Sequence, residues 1–255
     1  MKKSMFLFLM LIVASGVFAQ TSQGQKVTKT MKGSELGQYI RENGLEGKTV
    51  TITYTIAPNG KHNGHEYVNL GLSVKWATCN VGATTAEGYG DYYAWGETVT
   101  VTKKSYDWST YKWCKSYNSM TKYCTDSEYG TVDNKKTLSA TDDVARVKWG
   151  GNWRMPTQAE QDELRTKCRW TWTTKNGVSG YKVVGPNGNS IFLPAAGYWS
   201  GTLFDLKGSS GLYWSSSLIE SFPNCAYGLY FASNKVLGRD SSYRYSGLSV
   251  RPVCP

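Results

Sequence analysis

The stretch Gly150-Gly151-Asn152-Trp153-Arg154-Met155-Pro156-Thr157-Gln158-Ala159-Glu160 fixes local geometry more sharply than any other part of the chain. Pro156 holds Met155 extended and cannot itself stand inside a helix, because its ring locks φ and it has no N–H to donate. Thr157 followed by Glu160 is a capping box. The threonine hydroxyl satisfies one orphan N–H of a new helix, and the glutamate reaches back to another. An extended approach therefore becomes a helix at Thr157 that runs to about Cys168, with Leu164 and Cys168 on its inner face. Arg154 stands between Trp153 and Met155. Its fork of donors in apolar company suggests a partly buried guanidinium pinning the turn through backbone carbonyls; the rival reading is a surface arginine beside a turn.

Around this stretch the pattern is mixed α and β. Ser139-Ala140-Thr141-Asp142-Asp143 reads as a helix start with acids in its first turn, and Gly150-Gly151 stops that helix. Arg169-Trp170-Thr171-Trp172-Thr173 alternates as a strand should. Turns at Asn176-Gly177 and Pro186-Asn187-Gly188 then connect strands at 181–184 and 190–193, an antiparallel meander. A Gly/Ser-rich loop region follows up to Gly211. In the tail, 213–217 and 248–253 read as strands framing a third at 226–231, which puts Tyr227, Leu229 and Phe231 on one face and Tyr230 on the other. Between them, 219–222 and 235–245 mix Tyr, Ser, Asn, Arg and isolated apolar residues without a clear period, and read as exposed loops.

The N-terminal side is organised differently. Residues 1–19 read as a secretory signal peptide: Lys2 and Lys3, an apolar run over 5–13, and Val17-Phe18-Ala19 as the cleavage site. The run is too short to span a bilayer, which takes about 20 apolar residues. Residues 20–65 read as a flexible segment and a small α-β appendage, with a helix over 34–43, a strand over 49–56 and a loop through Lys61-His62-Asn63-Gly64-His65. The main domain is expected over 66–255. Strand-like runs lie on either side of Gly71, and a long turn-rich stretch over 82–137 carries Tyr89, Tyr92, Tyr93, Trp95, Tyr106, Trp108, Tyr111 and Trp113. Rings at that density serve either as core for a loop-rich fold or as a sugar platform.

Six cysteines behind an export signal favour disulfides. Cys114–Cys124 would close a local loop, Cys225–Cys254 would tie two C-terminal strands, and Cys79–Cys168 would fix an early strand to the helix. The sequence does not choose among this set and its alternatives.

Several of these blocks carry a resemblance. Trp153-Arg154-Met155-Pro156-Thr157-Gln158-Ala159-Glu160, Tyr213-Trp214-Ser215-Ser216-Ser217 and Ser249-Val250-Arg251-Pro252-Val253, with the earlier 67–77 and Trp95-Gly96-Glu97 blocks, resemble the Fibrobacter succinogenes major paralogous domain. That family is common in secreted proteins of gut Bacteroides-type bacteria. It belongs to the C-type-lectin-like group, with the formylglycine-generating enzymes and the variable proteins of diversity-generating retroelements. The resemblance implies an α+β fold of twisted antiparallel sheets, two short helices and long loops. It makes Trp153, Arg154, Thr157, Glu160, Trp214 and Arg251 framework. In the retroelement-diversified members, it implies, the C-terminal tract is the variable ligand-binding face.

Function classes narrow accordingly. Removing Lys2 and Lys3 takes the net charge from +10 to +8, spread without a basic block, so nucleic acid is not expected. There is no Gly-x-Ser-x-Gly elbow, no phosphate-binding glycine loop and no Cys-x-x-Cys, and the two histidines share one loop. Glu97, Asp142, Asp143, Glu160, Asp205 and Asp240 could meet as a glycosidase pair, though their spacing does not say so. Phe222-Pro223-Asn224 lacks the acid of the calcium-dependent lectins. The expectation is an exported, non-catalytic recognition protein without metal or cofactor and without a membrane span in its mature form. Its protein or glycan ligand would meet Ile219, Phe222, Asn224, Tyr230, Lys235, Leu237, Arg239, Asp240 and Tyr243. The alternative is carbohydrate binding or processing through the aromatic 89–113 region.

Overall fold

The computed structural model describes residues 17–20, 26–29, 36–44, 59–100 and 105–255. The chain divides into two compact units, Met1–Ala57 and Pro58–Pro255. In the first, strand β1 (Val17–Gln20) pairs antiparallel with β2 (Lys26–Lys29), and helix α1 (Leu36–Glu42) follows. Helix α1 ends at Gly44, whose φ of 59° places it in the left-handed region that glycine adopts freely. The expected strand over 49–56, the Ser34 cap and most of the signal segment lie outside the described residues.

The second unit is α+β, with few helices and mostly antiparallel sheet. Strands β3 (Asn59–His62), β4 (His65–Val68) and β5 (Lys75–Ala77) form a sheet with the last strand, β14 (Val253–Cys254), in the order β14-β5-β4-β3. Helices α2 (Val144–Trp149) and α3 (Gln158–Lys167) precede the meander β6 (Arg169–Lys175), β7 (Val178–Val184) and β8 (Ser190–Pro194). A hairpin of β9 (Tyr198–Ser200) and β10 (Leu203–Asp205) follows. The last sheet holds β11 (Ser210–Leu218), β12 (Cys225–Ala232) and β13 (Lys235–Tyr243), with β13 at its edge.

Helix α3 starts as its sequence dictates. Thr157 Oγ1 accepts the Glu160 N–H at 3.2 Å, and Glu160 Oε2 accepts the Thr157 N–H at 2.8 Å. Arg154 departs from expectation: only one carbonyl, that of Met155 at 3.1 Å, takes its donors from the backbone. Its fork instead grips both oxygens of the capping Glu160, at 2.7 and 2.6 Å, since a carboxylate already held by the cap is the stronger acceptor. Burial pushes the Glu160 carboxyl up, but the Arg154 fork and the Thr157 bonds of the cap together hold the group below its ordinary range.

Helix α2 is capped by Asp143, which accepts N–H groups from Ala145 and Arg146, and from Met155 at 2.8 Å. One side chain thus ties the start of α2 to the approach to α3. Asp142 does not join the helix turn; it accepts from the Tyr123 hydroxyl at 2.6 Å and pairs with Lys122.

The His62–His65 stretch is a hairpin rather than a loop, because Asn63 (φ 45°) and Gly64 (φ 82°) make the left-handed turn that joins twisted strands. It clamps the double-glycine turn. His62 Nε2 accepts the Asn152 N–H at 2.7 Å, the Trp153 indole donates to the His62 carbonyl at 2.7 Å, and the His65 ring stacks on Trp149 at 3.9 Å. A Cβ at Gly151 would stand 2.7 Å from His62 Nε2, so the close approach requires glycine.

Below these turns lies the core. Trp95, Trp153 and Trp214 are fully buried in one cluster, while Trp76, Leu164 and Phe231 centre a second under α3 and the meander. The Trp214 indole donates to the Tyr93 carbonyl and the Trp95 indole to that of Ser215, so the aromatic stretch is stitched onto β11. Arg251, 1% exposed, donates to Asn80 Oδ1 and to the carbonyls of Ala77, Thr78 and Phe192 at 2.8–3.1 Å.

Two tracts expected to be loops are strands. The region after Gly197 contains the β9–β10 hairpin, turned at Gly201 (φ 58°). Residues 235–243 form β13, paired with β12 through a register shift between Gly228 and Tyr230. The extra residue of that bulge breaks the period of two, which hides the strand from a reading of alternation.

Candidate functional site

The bulge that conceals β13 also builds the site. In an unbroken strand residues 237 and 240 face opposite ways. Opposite Leu229 the bulge inserts one residue, so Leu237 and Asp240 turn to the same side, above Tyr230 and Gly228 of β12. Gly228, opposite Asp240, packs tightly on β11: a Cβ there would stand 3.0 Å from the Tyr213 carbonyl oxygen. Gly238, at the bulge, sits against Asp162 and Arg165 of α3, and a Cβ there would come 2.4 Å from the Asp162 carboxylate. Helix α3 therefore backs the bulge and fixes which way it bends.

The result is an open groove of about 480 Å³ between β13 and β9. Tyr198 and Ser200 of β9 form one wall, Leu206 and Leu212 the floor. Leu206 holds a left-handed backbone (φ 57°), an uncommon state for a branched apolar residue. Tyr243 and Tyr245 close the far end as a stacked pair, ring centroids 5.4 Å apart. Trp108 stands edge-on to both, at 5.8 and 4.6 Å. At the near end the Lys235 ammonium sits 5.1 Å from the centre of the Tyr230 ring.

Burial raises the Asp240 carboxyl above its ordinary value, and Lys235 and the Ser241 N–H offset this only in part. Burial likewise raises the Tyr245 phenol, against a hydrogen bond with Ser200. The groove is thus rich in hydroxyls and ring faces, with one acid.

The expected ligand residues divide. Tyr230, Lys235, Leu237, Asp240 and Tyr243 all line the groove. Ile219 does not belong with them. It is buried at 6% exposure, because the Phe222 N–H bonds back to its carbonyl and the tight turn folds its side chain inward. Phe222 is 56% exposed on that turn but lies outside the groove lining. Asn224 takes the Arg244 N–H on its carbonyl, and its side-chain oxygen is buried without a hydrogen-bond partner. Arg239 falls within β13; its side chain lies outside the described residues.

The sequence expectation left out Tyr198, Ser200, Leu206, Leu212 and Ser246, and within 235–245 did not single out Ser241, Ser242 or Tyr245. The signal was there: Tyr198-Trp199-Ser200 and Leu203-Phe204-Asp205 flank a Gly201-Thr202 turn, a hairpin pattern. Four of the eight rings of the alternative 89–113 platform, Tyr93, Trp95, Tyr106 and Tyr111, are buried, while Trp108 joins the groove's far end. The two surfaces weighed from the sequence therefore meet.

Behind the groove, Arg244 is 0% exposed. Its guanidinium donates to the Tyr111 hydroxyl at 2.9 Å and to the carbonyls of Lys122, Tyr123 and Pro223 at 2.8–3.1 Å. It also lies 5.0 Å from the centre of the Trp95 ring.

Of the six acids that could have met as a glycosidase pair, only Asp240 lines the groove. Asp143 and Glu160 serve as caps, and Glu97 accepts the Lys112 N–H at 2.8 Å. All six cysteines are free thiols in the structure: Cys114 and Cys124 share the cluster under the aromatic loop, and Cys79 and Cys254 the main one. Among the described residues no group of His, Cys, Asp or Glu could hold a metal ion, and no helix is long and apolar enough to cross a membrane. No protein-family model, curated protein or solved structure matches the chain.

Proposed function

We propose that this chain is an exported, non-catalytic recognition protein of C-type-lectin-like architecture, which takes a protein or glycan ligand in the groove between β9 and β13. The observation that carries the reading is the convergence of Tyr198, Tyr230, Tyr243 and Tyr245 with Ser, Lys and Asp side chains on one open cavity of about 480 Å³. That size is ordinary for a ligand site. Rigid rings give contact area at little entropic cost, and small hydroxyls adapt their hydrogen bonds, a division of labour that binding surfaces use repeatedly. The antiparallel sheets, the short helices α2 and α3 and the loop-rich stretch before them support the architectural part. Wall β13 lies in the tract that the resemblance makes variable in retroelement-diversified members. A DNA template copy near the gene, differing only at adenine positions, would support that version.

The binding claim is tested on glycan arrays and by protein pull-down with the mature chain. Replacing Leu237 and Tyr243 together with Ala should abolish capture while the melting temperature moves by no more than about 3 °C, as for exposed residues. Phe222→Ala should leave capture intact. Loss of capture in Phe222→Ala with the double variant unaffected would move the site to the 219–222 turn.

A further inference from the structure

We propose that the groove holds an organic cation, a primary or quaternary ammonium group, between tyrosine faces and the Asp240 carboxylate. This rests on the groove being the binding site described above, and adds the chemistry of what enters it.

Four tyrosines face the cavity, and the face of an aromatic ring is the negative pole of its quadrupole. A cation within about 6 Å of a ring centre is attracted to it, most strongly where water is partly excluded. Asp240 is the one acid on the wall, on the same side of the sheet as Tyr230. Partial burial makes its negative charge costly alone, so a cation placed beside it recovers more than it would at an open surface.

The structure already shows an ammonium in this setting. The Lys235 Nζ sits 5.1 Å over the Tyr230 ring, on the same cavity as Asp240. Lys235 is exposed at the first position of β13, beside the Ser233-Asn234 turn, so its ammonium can swing into water and free that ring face. In this arrangement Lys235 acts as a resident competitor for an incoming cation.

Other small-ligand chemistries fit less well. A neutral sugar ring could stack on the same tyrosines and donate a hydroxyl to the acid, but it carries no charge for the ring faces and the carboxylate to attract together. An anion would be favoured at long range by the net charge of +10, yet on arrival would meet ring faces and a carboxylate. With a screening length of about 8 Å at physiological salt, the local lining decides.

The experiment titrates the mature chain with tetramethylammonium chloride, and in parallel with neopentyl alcohol, a neutral molecule of similar shape, at constant ionic strength. Intrinsic fluorescence, to which Trp108, Tyr243 and Tyr245 contribute, follows the titration. Tetramethylammonium should bind with millimolar affinity and the alcohol much more weakly. Asp240→Asn and Tyr230→Leu should each weaken the cation by about fivefold, the range of a desolvated cation–π contact. Lys235→Met, a surface change with little risk to folding, should strengthen it by about threefold by removing the competitor. Equal binding of the alcohol, no response in Asp240→Asn, or weaker binding in Lys235→Met would each overturn the assignment. If capture of a glycan or protein still fails in the Leu237/Tyr243 double variant, the groove itself stands and only its cation chemistry falls.

Discussion

Arg251 and Arg244 are buried to the same depth, and each donates mainly to backbone carbonyls, but they hold together different kinds of structure. The partners of Arg251 are the end of β5, the following Asn80 and strand β8, all parts of the regular framework. Those of Arg244 are Tyr111, Lys122, Tyr123 and Pro223, from a stretch without helix or strand and from the 219–224 turn. One arginine joins strands that sheet pairing and core packing also hold. The other does for a loop what a sheet ladder does for a strand: it satisfies carbonyls that have no regular partner. The loop behind the groove is thus held by side chains, Arg244 together with Glu97, Asp133 and Asp142, whereas the framework adds sheet pairing to its arginine.

The largest effect should come from Arg251→Met. Four acceptors, three of them buried, would lose their donor, at about 1–3 kcal/mol for each buried one before relaxation. A net loss on the order of 4 kcal/mol lowers the melting temperature by roughly 10 °C, read by calorimetry as one cooperative shift. Arg244→Met should cost less, about 2–3 kcal/mol, because loop carbonyls can turn toward water. Hydrogen exchange separates the two: amides over 111–124 should lose protection in Arg244→Met while β6, β7 and β8 keep theirs. Equal loss in the meander would break the distinction. A smaller effect should follow at the cap of α3. Thr157→Ala is expected to cost about 1 kcal/mol, and Glu160→Gln more, since it also releases the Arg154 fork.

These differences follow what was legible in the sequence. Capping at Thr157 and Glu160, the two glycines, the meander turns and the framework role of Arg251 rest on local rules or on motif blocks, and they stood out. Five of the expected ligand residues line the groove, since an unperiodic mixture of Tyr, Ser and isolated apolar residues is itself a signal. Its architecture was hidden because the bulge opposite Leu229 disrupts alternation, so a strand read as a loop; Ile219 was placed outside because the tight turn that buries it carries no alternation either. Arg244 was hidden for a different reason: every partner except Pro223 lies more than a hundred positions away in the chain, and no local rule reaches that far.

Arginine pins cannot be titrated, but the hairpin that clamps the Gly150-Gly151 turn contains a pin that can. His65 stacks flat on Trp149, and burial lowers its pKa from the ordinary value. The folded chain therefore prefers the neutral ring. Its contribution to stability is complete above the unfolded value of about 6.5 and is lost as the pH falls through that value toward the lower folded one. His65→Phe keeps a ring on Trp149 and removes the titration. The difference in melting temperature between variant and parent should thus be flat above pH 7 and move in the variant's favour between pH 6.5 and 5. The shift should be small, about 1 °C, because the ring is only partly enclosed and solvent screens the charge. A difference that stays constant through that range would mean that the clamp holds through stacking alone. A difference that moves the other way would mean that the protonated ring gains from Trp149 beneath it more than it loses by burial, and the hairpin would then join Arg244 as a cation held on an aromatic face.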